Sequence, residues 1–429
     1  MRSQIFGNIA GVKTLAILLV FAITLWGCDS SDDMTGVGGG ESVRVEGQVT
    51  DDAGYGKTMA NVEGAVVTAA AVSADGSTRA LDGSATTNAE GRFALDVETD
   101  ADVMVLTAAK DAFTARVLVR RSGTATVRAM PMTTESTGEA DVYVAAKARD
   151  EDEVTEADVA VHVDADVAAE LAAGTTTAAE VAAAIAMGVK AEERYARDEG
   201  EANDEELRSA REQRRQSFLD LQAALYAATT ASAEASAVQA FEEAVAEAYV
   251  AAGLSADVQA KARQAGKAAL MKFAAGTSAK ARFALRKRAT LLVAQARARA
   301  IEAAFEASGA AQARINTLVS ARTGMMARLR AALNEAALTE AEAEYAATVE
   351  AELAAELQVD TTLLNTAKTS LLNLKVTLDN AIASAASADV IASAHATYFA
   401  EAETVASSTL STSTKADLGG RVIALLSIE

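Results

Sequence analysis

Pro131-Met132-Thr133-Thr134-Glu135-Ser136-Thr137-Gly138 divides this chain into two textures. Pro131 is the only proline in 429 residues, and proline has no amide proton to give to a ladder or a helix. Before it, apolar and polar side chains alternate with period two. After it, apolar residues recur at steps of three, four and seven almost to the last residue. The sequence therefore predicts a small antiparallel β-sandwich over 43–131, a linker over 132–138, and a large all-α antiparallel bundle or array over 139–429.

Upstream of the divide, Val43, Val45 and Val49 alternate with Arg44, Glu46 and Gln48, as in a half-buried strand. Further strands are expected at 65–71, 91–97, 103–108, 114–119 and 124–129. Turn residues separate them: Asp51-Asp52-Ala53-Gly54, Asp75-Gly76, Asp82-Gly83 and Asn88-Ala89-Glu90-Gly91. Short strands at this spacing argue for two packed sheets.

Downstream, Leu207, Phe218, Leu221 and Leu225 share a stripe, as do Val238, Phe241, Val245 and Tyr249. Tyr345, Val349, Leu353 and Leu357 recur at steps of four. Leu364, Leu371 and Leu378 step by seven with Ala367, Leu374 and Ala381 between them, which is a coiled-coil-like seam. Thr177-Ala178-Ala179-Glu180 and Thr339-Glu340-Ala341-Glu342 read as capping boxes, and Gly174, Gly253, Gly276 and Gly309 read as left-handed stops. Roughly eight to eleven helices with short connections follow. No internal repeat argues for a regular solenoid.

Three stretches of the β region resemble the carboxypeptidase regulatory-like family, a transthyretin-like seven-stranded sandwich. They are Val45-Glu46-Gly47-Gln48-Val49-Thr50-Asp51, Val62-Glu63-Gly64-Ala65-Val66-Val67, and Thr86-Thr87-Asn88-Ala89-Glu90-Gly91-Arg92-Phe93. The resemblance covers 43–131 and implies a spacer or stabilising module without chemistry of its own.

At the other end, Arg2 and Lys13 precede an apolar run from Thr14 to Leu25, the pattern of a secretory signal. The run is short for the ~30 Å of a bilayer core. Leu25-Trp26-Gly27-Cys28 resembles the lipobox of bacterial lipoproteins. That resemblance implies removal of 1–27 and a lipid on Cys28, which anchors the protein to a membrane, on the periplasmic or cell-surface side of the envelope. An ordinary signal peptide with an incidental cysteine is the other reading. Residues 28–42, small, acidic and Gly-rich, read as a flexible tether with a span of ~20 Å. In some lineages an aspartate such as Asp29 after the lipidated cysteine goes with retention at the inner membrane.

Composition narrows the function classes. Half of the residues are hydrophobic but only 4% are aromatic, so alanine carries much of the core, and alanine is the best helix former. The formal charge of −21 argues against nucleic-acid binding. Cys28 is the only cysteine, which excludes an intramolecular disulfide or a cysteine-based zinc site. Only two histidines, His162 and His395, are present, with no Gly-x-Ser-x-Gly elbow, phosphate loop or His-Glu-x-x-His. No catalytic residues, metal ligands or cofactor are assigned. Asp150-Glu151-Asp152-Glu153 and Asp164-Ala165-Asp166 lack the spacing of a calcium loop and read as solvated acidic turns. The tyrosines and Met325-Met326 read as core fillers among alanines.

Charge is segregated: 139–260 is acidic, 261–330 basic, and 335–360 acidic again. Two readings of the basic stretch stand side by side. Its helices could lie against the acidic ones and fix the register of the bundle. Alternatively Lys280, Arg282, Arg286, Lys287, Arg288, Arg297 and Arg299 form a candidate anion-binding face for lipid headgroups or an envelope polyanion. The expectation for the whole is a non-enzymatic cell-envelope lipoprotein with a structural or adaptor role, meeting an envelope protein partner, with the anion-binding module as the alternative.

Overall fold

Val43 and Val45 turn the same way because strand side chains alternate, and both are buried in β1 (Glu41–Gln48). The structure is a computed structural model that describes residues 41–56 and 60–428. Cys28, the signal segment and the tether lie outside the described residues.

After β1 come β2 (Val66–Val72), β3 (Thr78–Ala80), β4 (Ala85–Thr86), β5 (Arg92–Thr99), β6 (Val103–Lys110), β7 (Phe113–Arg120) and β8 (Thr126–Arg128). One sheet has the order β5-β1-β8, with β1 antiparallel to β5 and parallel to β8. The other is antiparallel, in the order β3-β2-β6-β7, with β4 also pairing with β2. Every strand span read from the sequence is present. β3 and β4, three and two residues long, are too short to carry a periodic signal. Val45, Leu95 and Val97 from the first sheet share a core with Val67, Leu106 and Val117 from the second.

β6 is buried continuously from Val103 to Leu106 rather than at alternate residues, so both of its faces are covered. The neighbouring strand β7 packs against the first helix of the helical region, α1 (Thr134–Lys147). Thr133 caps it: the Ser136 amide donates to Thr133 Oγ1 at 3.1 Å, and the Thr133 amide donates to Ser136 Oγ at 2.8 Å. Ser136 Oγ donates to the Arg116 carbonyl at 2.7 Å, and the Arg116 amide donates to Thr137 Oγ1 at 2.9 Å. Residues 132–138, read as a linker from sequence, thus hold the cap and first turn of α1 and bond it to the sheet.

The chain continues through α2 (Glu156–His162), α3 (Ala165–Ala172), α4 (Ala178–Glu199), α5 (Asp204–Ala227), α6 (Ala231–Ala246), α7 (Ala248–Ala251), α8 (Ala256–Phe273) and α9 (Ala279–Ala307). Then follow α10 (Gln312–Ala331), α11 (Glu335–Leu357), α12 (Thr361–Ser370), α13 (Leu372–Ser384), α14 (Ala388–Thr409) and α15 (Ala416–Leu426). Fifteen helices among the described residues exceed the expected eight to eleven, because apolar stripes run through breaks. Glu247 separates α6 from α7 inside the Val238–Tyr249 stripe, and Leu371 separates α12 from α13 inside the heptad seam. None is long and apolar enough to cross a membrane.

Two local readings are corrected. Gly276 ends a short 3-10 turn, Ala274–Gly276, without the left-handed conformation, whereas Gly174, Gly253 and Gly309 have φ of 67°, 105° and 75°. Thr339 lies inside α11, which begins five residues earlier at its cap Asn334, and its hydroxyl donates to the Glu335 carbonyl. Thr177 does cap α4, with Glu180 completing the box.

The helical packing is set by small residues. On α4 and α8, a Cβ added to Gly188 would sit 3.3 Å from the Gly266 carbonyl oxygen and 3.2 Å from Leu270 Cβ. Alanine and glycine here let two backbones approach closely. One core joins the sheets to α1–α6, α8 and α9, and a second fills the space among α8–α15.

Candidate functional site

The seven basic residues singled out from sequence lie along α9, and each meets a partner within the chain. Lys280, 56% exposed, is 3.6 Å from Asp166 and 3.9 Å from Glu170. Arg282 donates to the Ala275 carbonyl at 3.3 Å and Lys287 to the Ala332 carbonyl at 3.0 Å. Arg286 pairs with Glu335 at 2.9 Å, and Arg288 with Asp164 at 3.4 Å and with Glu242. Arg297, buried, reaches Glu342 at 2.8 Å; Arg299 reaches Glu247 at 3.0 Å and Glu302 at 3.5 Å. The basic helix thus lies between acidic segments from both sides of it in sequence. Asp164 also caps α3, accepting from the Asp166 and Val167 amides.

The most deeply buried charges lie elsewhere. Arg214 on α5 is fully buried and meets Asp158 at 3.3 Å and Glu193 at 3.2 Å. Arg263 on α8 meets Glu192 at 2.7 Å. Both guanidinium groups face the Tyr249 ring, at 5.6 and 5.4 Å from its centroid. His162 shares this region, its Nδ1 at 2.7 Å from the Asp158 carbonyl. The gap lined by Asp158, His162, Glu192 and Arg263 has a volume of about 10 Å³, room for about one water.

His395 is placed differently. Together with Gln264, Met271, Arg286, Leu338 and Asp379 it lines a cleft of about 470 Å³ among α8, α9, α11, α13 and α14. Its Nδ1 is 2.9 Å from the Ile391 carbonyl one turn back on α14, and its Nε2 has no protein partner. Burial lowers both histidines to about 4, so each imidazole is neutral at pH 7. Sequence reasoning singled out Arg286 only as part of a basic face, gave His395 no site role, and passed over Gln264, which sits in a basic helix with no signal marking it.

A fourth feature is a surface. α13 buries Leu378 and half-buries Leu374, yet Leu372 and Val376, one turn apart on its outer side, are each 57% exposed. Around them Asn365, Thr369, Asn373 and Thr377 are exposed and uncharged. Lys368, Lys375 and Asp379 flank the same stripe, so the face is apolar at its centre and mixed in charge at its edge.

No family model and no curated protein matches this chain.

Proposed function

We propose that this chain is a lipid-anchored cell-envelope protein whose folded body is a non-catalytic adaptor, docking a partner protein on the outer face of α12 and α13. The face around Leu372 and Val376 carries this reading. It is apolar at its centre, with a rim of uncharged side chains and the Lys375–Asp379 ion pair, the apolar-core and polar-rim layout of a protein interface. The anchor rests on Leu25-Trp26-Gly27-Cys28, and the β region is read as a carboxypeptidase regulatory-like spacer that holds the helices away from the bilayer.

The test is photocrosslinking from positions 372 and 376 of the full chain in native membranes. One defined protein adduct, lost in Leu372→Glu/Val376→Glu, is expected. Adducts to lipid or glycan, or none, would overturn the adaptor reading, and lipid or glycan capture that depends on Lys280 and Arg299 would favour the anion-binding alternative. Separately, Cys28→Ala should leave the membrane fraction after a high-salt wash while keeping its fold.

A further inference from the structure

Between β1 and β2 the chain leaves the sheets, and residues 53–56 enter a nest of carboxylates on the helices. The Tyr55 amide donates to Glu135 Oε2 at 2.9 Å and its hydroxyl to Glu139 Oε2 at 3.1 Å. The Gly56 amide donates to Glu234 Oε2 at 2.6 Å, and the Glu135 amide donates back to the Ala53 carbonyl at 3.0 Å. Gly54 fits because it has no side chain: an added Cβ would run into the Glu135 carboxylate and sit 2.9 Å from Ala165 Cβ. Glu135 and Glu139 come from α1 and Glu234 from α6, and all three are buried.

So many acids cannot all ionise cheaply in one buried place. Asp52 adds another from the loop itself. Arg288 on α9 faces Glu135 and Glu139, but its guanidinium is shared with Asp164 of α3 and Glu242 of α6. Beyond it, Lys287 donates to the Ala332 carbonyl at 3.0 Å and Arg330 of α10 to Glu242 at 3.1 Å. Burial therefore holds Glu139 and Glu234 above the ordinary carboxylate range, with Glu135 adding to the first and Asp52 to the second. Seated residues 53–56 keep water away; once they lift, water reaches the carboxylates and they ionise at ordinary values.

We infer that residues 53–56 are a proton-operated latch, seated against α1 and α6 while Glu139 or Glu234 keeps its proton and lifting away as the pH rises. Tyr55 also forms part of the wall of a cleft of about 460 Å³ among α3, α6, α9 and α10, so its departure opens that cleft onto the carboxylates. The latch goes beyond the adaptor reading and does not rest on it.

The sign and slope follow from linkage. Between the ordinary glutamate value and the native one, opening releases a proton, so the open fraction rises about tenfold per pH unit for each carboxylate that ionises. The test is amide hydrogen exchange of the full chain from pH 5 to pH 8, corrected for intrinsic rates. Protection at Tyr55 and Gly56 should fall with that slope over part of the range, while Val45 in β1 keeps its own. Glu139→Gln/Glu234→Gln, which retains both acceptors without their charge, should show no such fall. Protection at Tyr55 and Gly56 that is independent of pH in the wild type would overturn the inference, whether or not the variant folds. So would a fall shared by Val45, the mark of global unfolding, or an equal fall in the folded double variant.

Discussion

Arg214 and Asp158 meet at 3.3 Å where their side chains are 0% and 2% exposed. Glu193 closes the other side of the guanidinium at 3.2 Å, and the Tyr249 ring faces it. The carboxylates hold Arg214 charged despite its burial. Removing one partner of such a group leaves the other charges unanswered in a medium that cannot solvate them. Arg214→Met should cost ~3–5 kcal/mol, read as a fall in the urea midpoint. A cost below ~1 kcal/mol would show that the carboxylates find water or other partners.

The start of α11 separates two capping candidates. Asn334 accepts from the Ala337 amide at 2.9 Å, whereas Thr339 donates to a carbonyl one turn back. Asn334→Ala should cost ~1 kcal/mol and Thr339→Ala only a few tenths, measured by chemical denaturation. Equal losses would contradict this helix boundary.

That pair also shows what the sequence can and cannot reveal. The β-then-α order, the strand spans and the apolar stripes were legible because periodicity is a property of neighbouring residues. The Thr339 reading failed because a Thr-x-x-Glu pattern looks the same at a helix start and one turn inside it. Asn334, the actual cap, has no acidic or amide residue three positions on to announce it. The pairing of α9 with acidic helices was one of two open readings, since charge segregation does not say which segments touch. Gln264 and the outer face of α13 were illegible for the same reason: whether a leucine or a glutamine is covered depends on helices distant in sequence.

Tyr55 and Glu139 give a pH dependence with a definite sign. Tyr55 Oη donates to Glu139 Oε2 at 3.1 Å, and burial, then the nearby Glu135, pushes the Glu139 carboxyl well above its usual range. The native state therefore favours the proton. The stability this group contributes is fully present below the ordinary glutamate value and is lost as pH rises through its native one. Glu139→Gln keeps an acceptor for Tyr55 without the charge. Its thermal midpoint should exceed that of the wild type at pH 8, with the gap narrowing at pH 4.5. A gap that does not change with pH would refute the assignment.

The histidines act in the opposite direction. Burial first, and only partly offset by the backbone contacts of each ring, holds His162 and His395 at about 4. The unfolded chain takes up these protons near pH 6.5, so stability is lost as pH falls from there towards 4. Both imidazole C2 proton shifts should stay at their neutral values down to pH 5. A transition near pH 6.5 for either would place that ring in water.

Gly76 tests how tightly the sheet and the helices are joined. It turns the β2–β3 hairpin with φ of +73°, a conformation that costs an L side chain about 1 kcal/mol or more. Its position adds a second constraint: an added Cβ would run into the Ala148 backbone and sit 2.7 Å from the Val144 carbonyl oxygen, at the end of α1. Backbone atoms cannot swing aside as a flexible side chain can, so the hairpin or the helix end must move. Gly123 provides the comparison, with φ of +73° and nothing within 4 Å of the same added atom. Gly123→Ala should show the conformational cost alone, ~1 kcal/mol, and Gly76→Ala that cost plus a steric one, ~2–3 kcal/mol in all. Hydrogen exchange should place the extra loss in Gly76→Ala at the last turn of α1. Equal stabilities for the two variants would mean that the hairpin does not rest on that helix in solution.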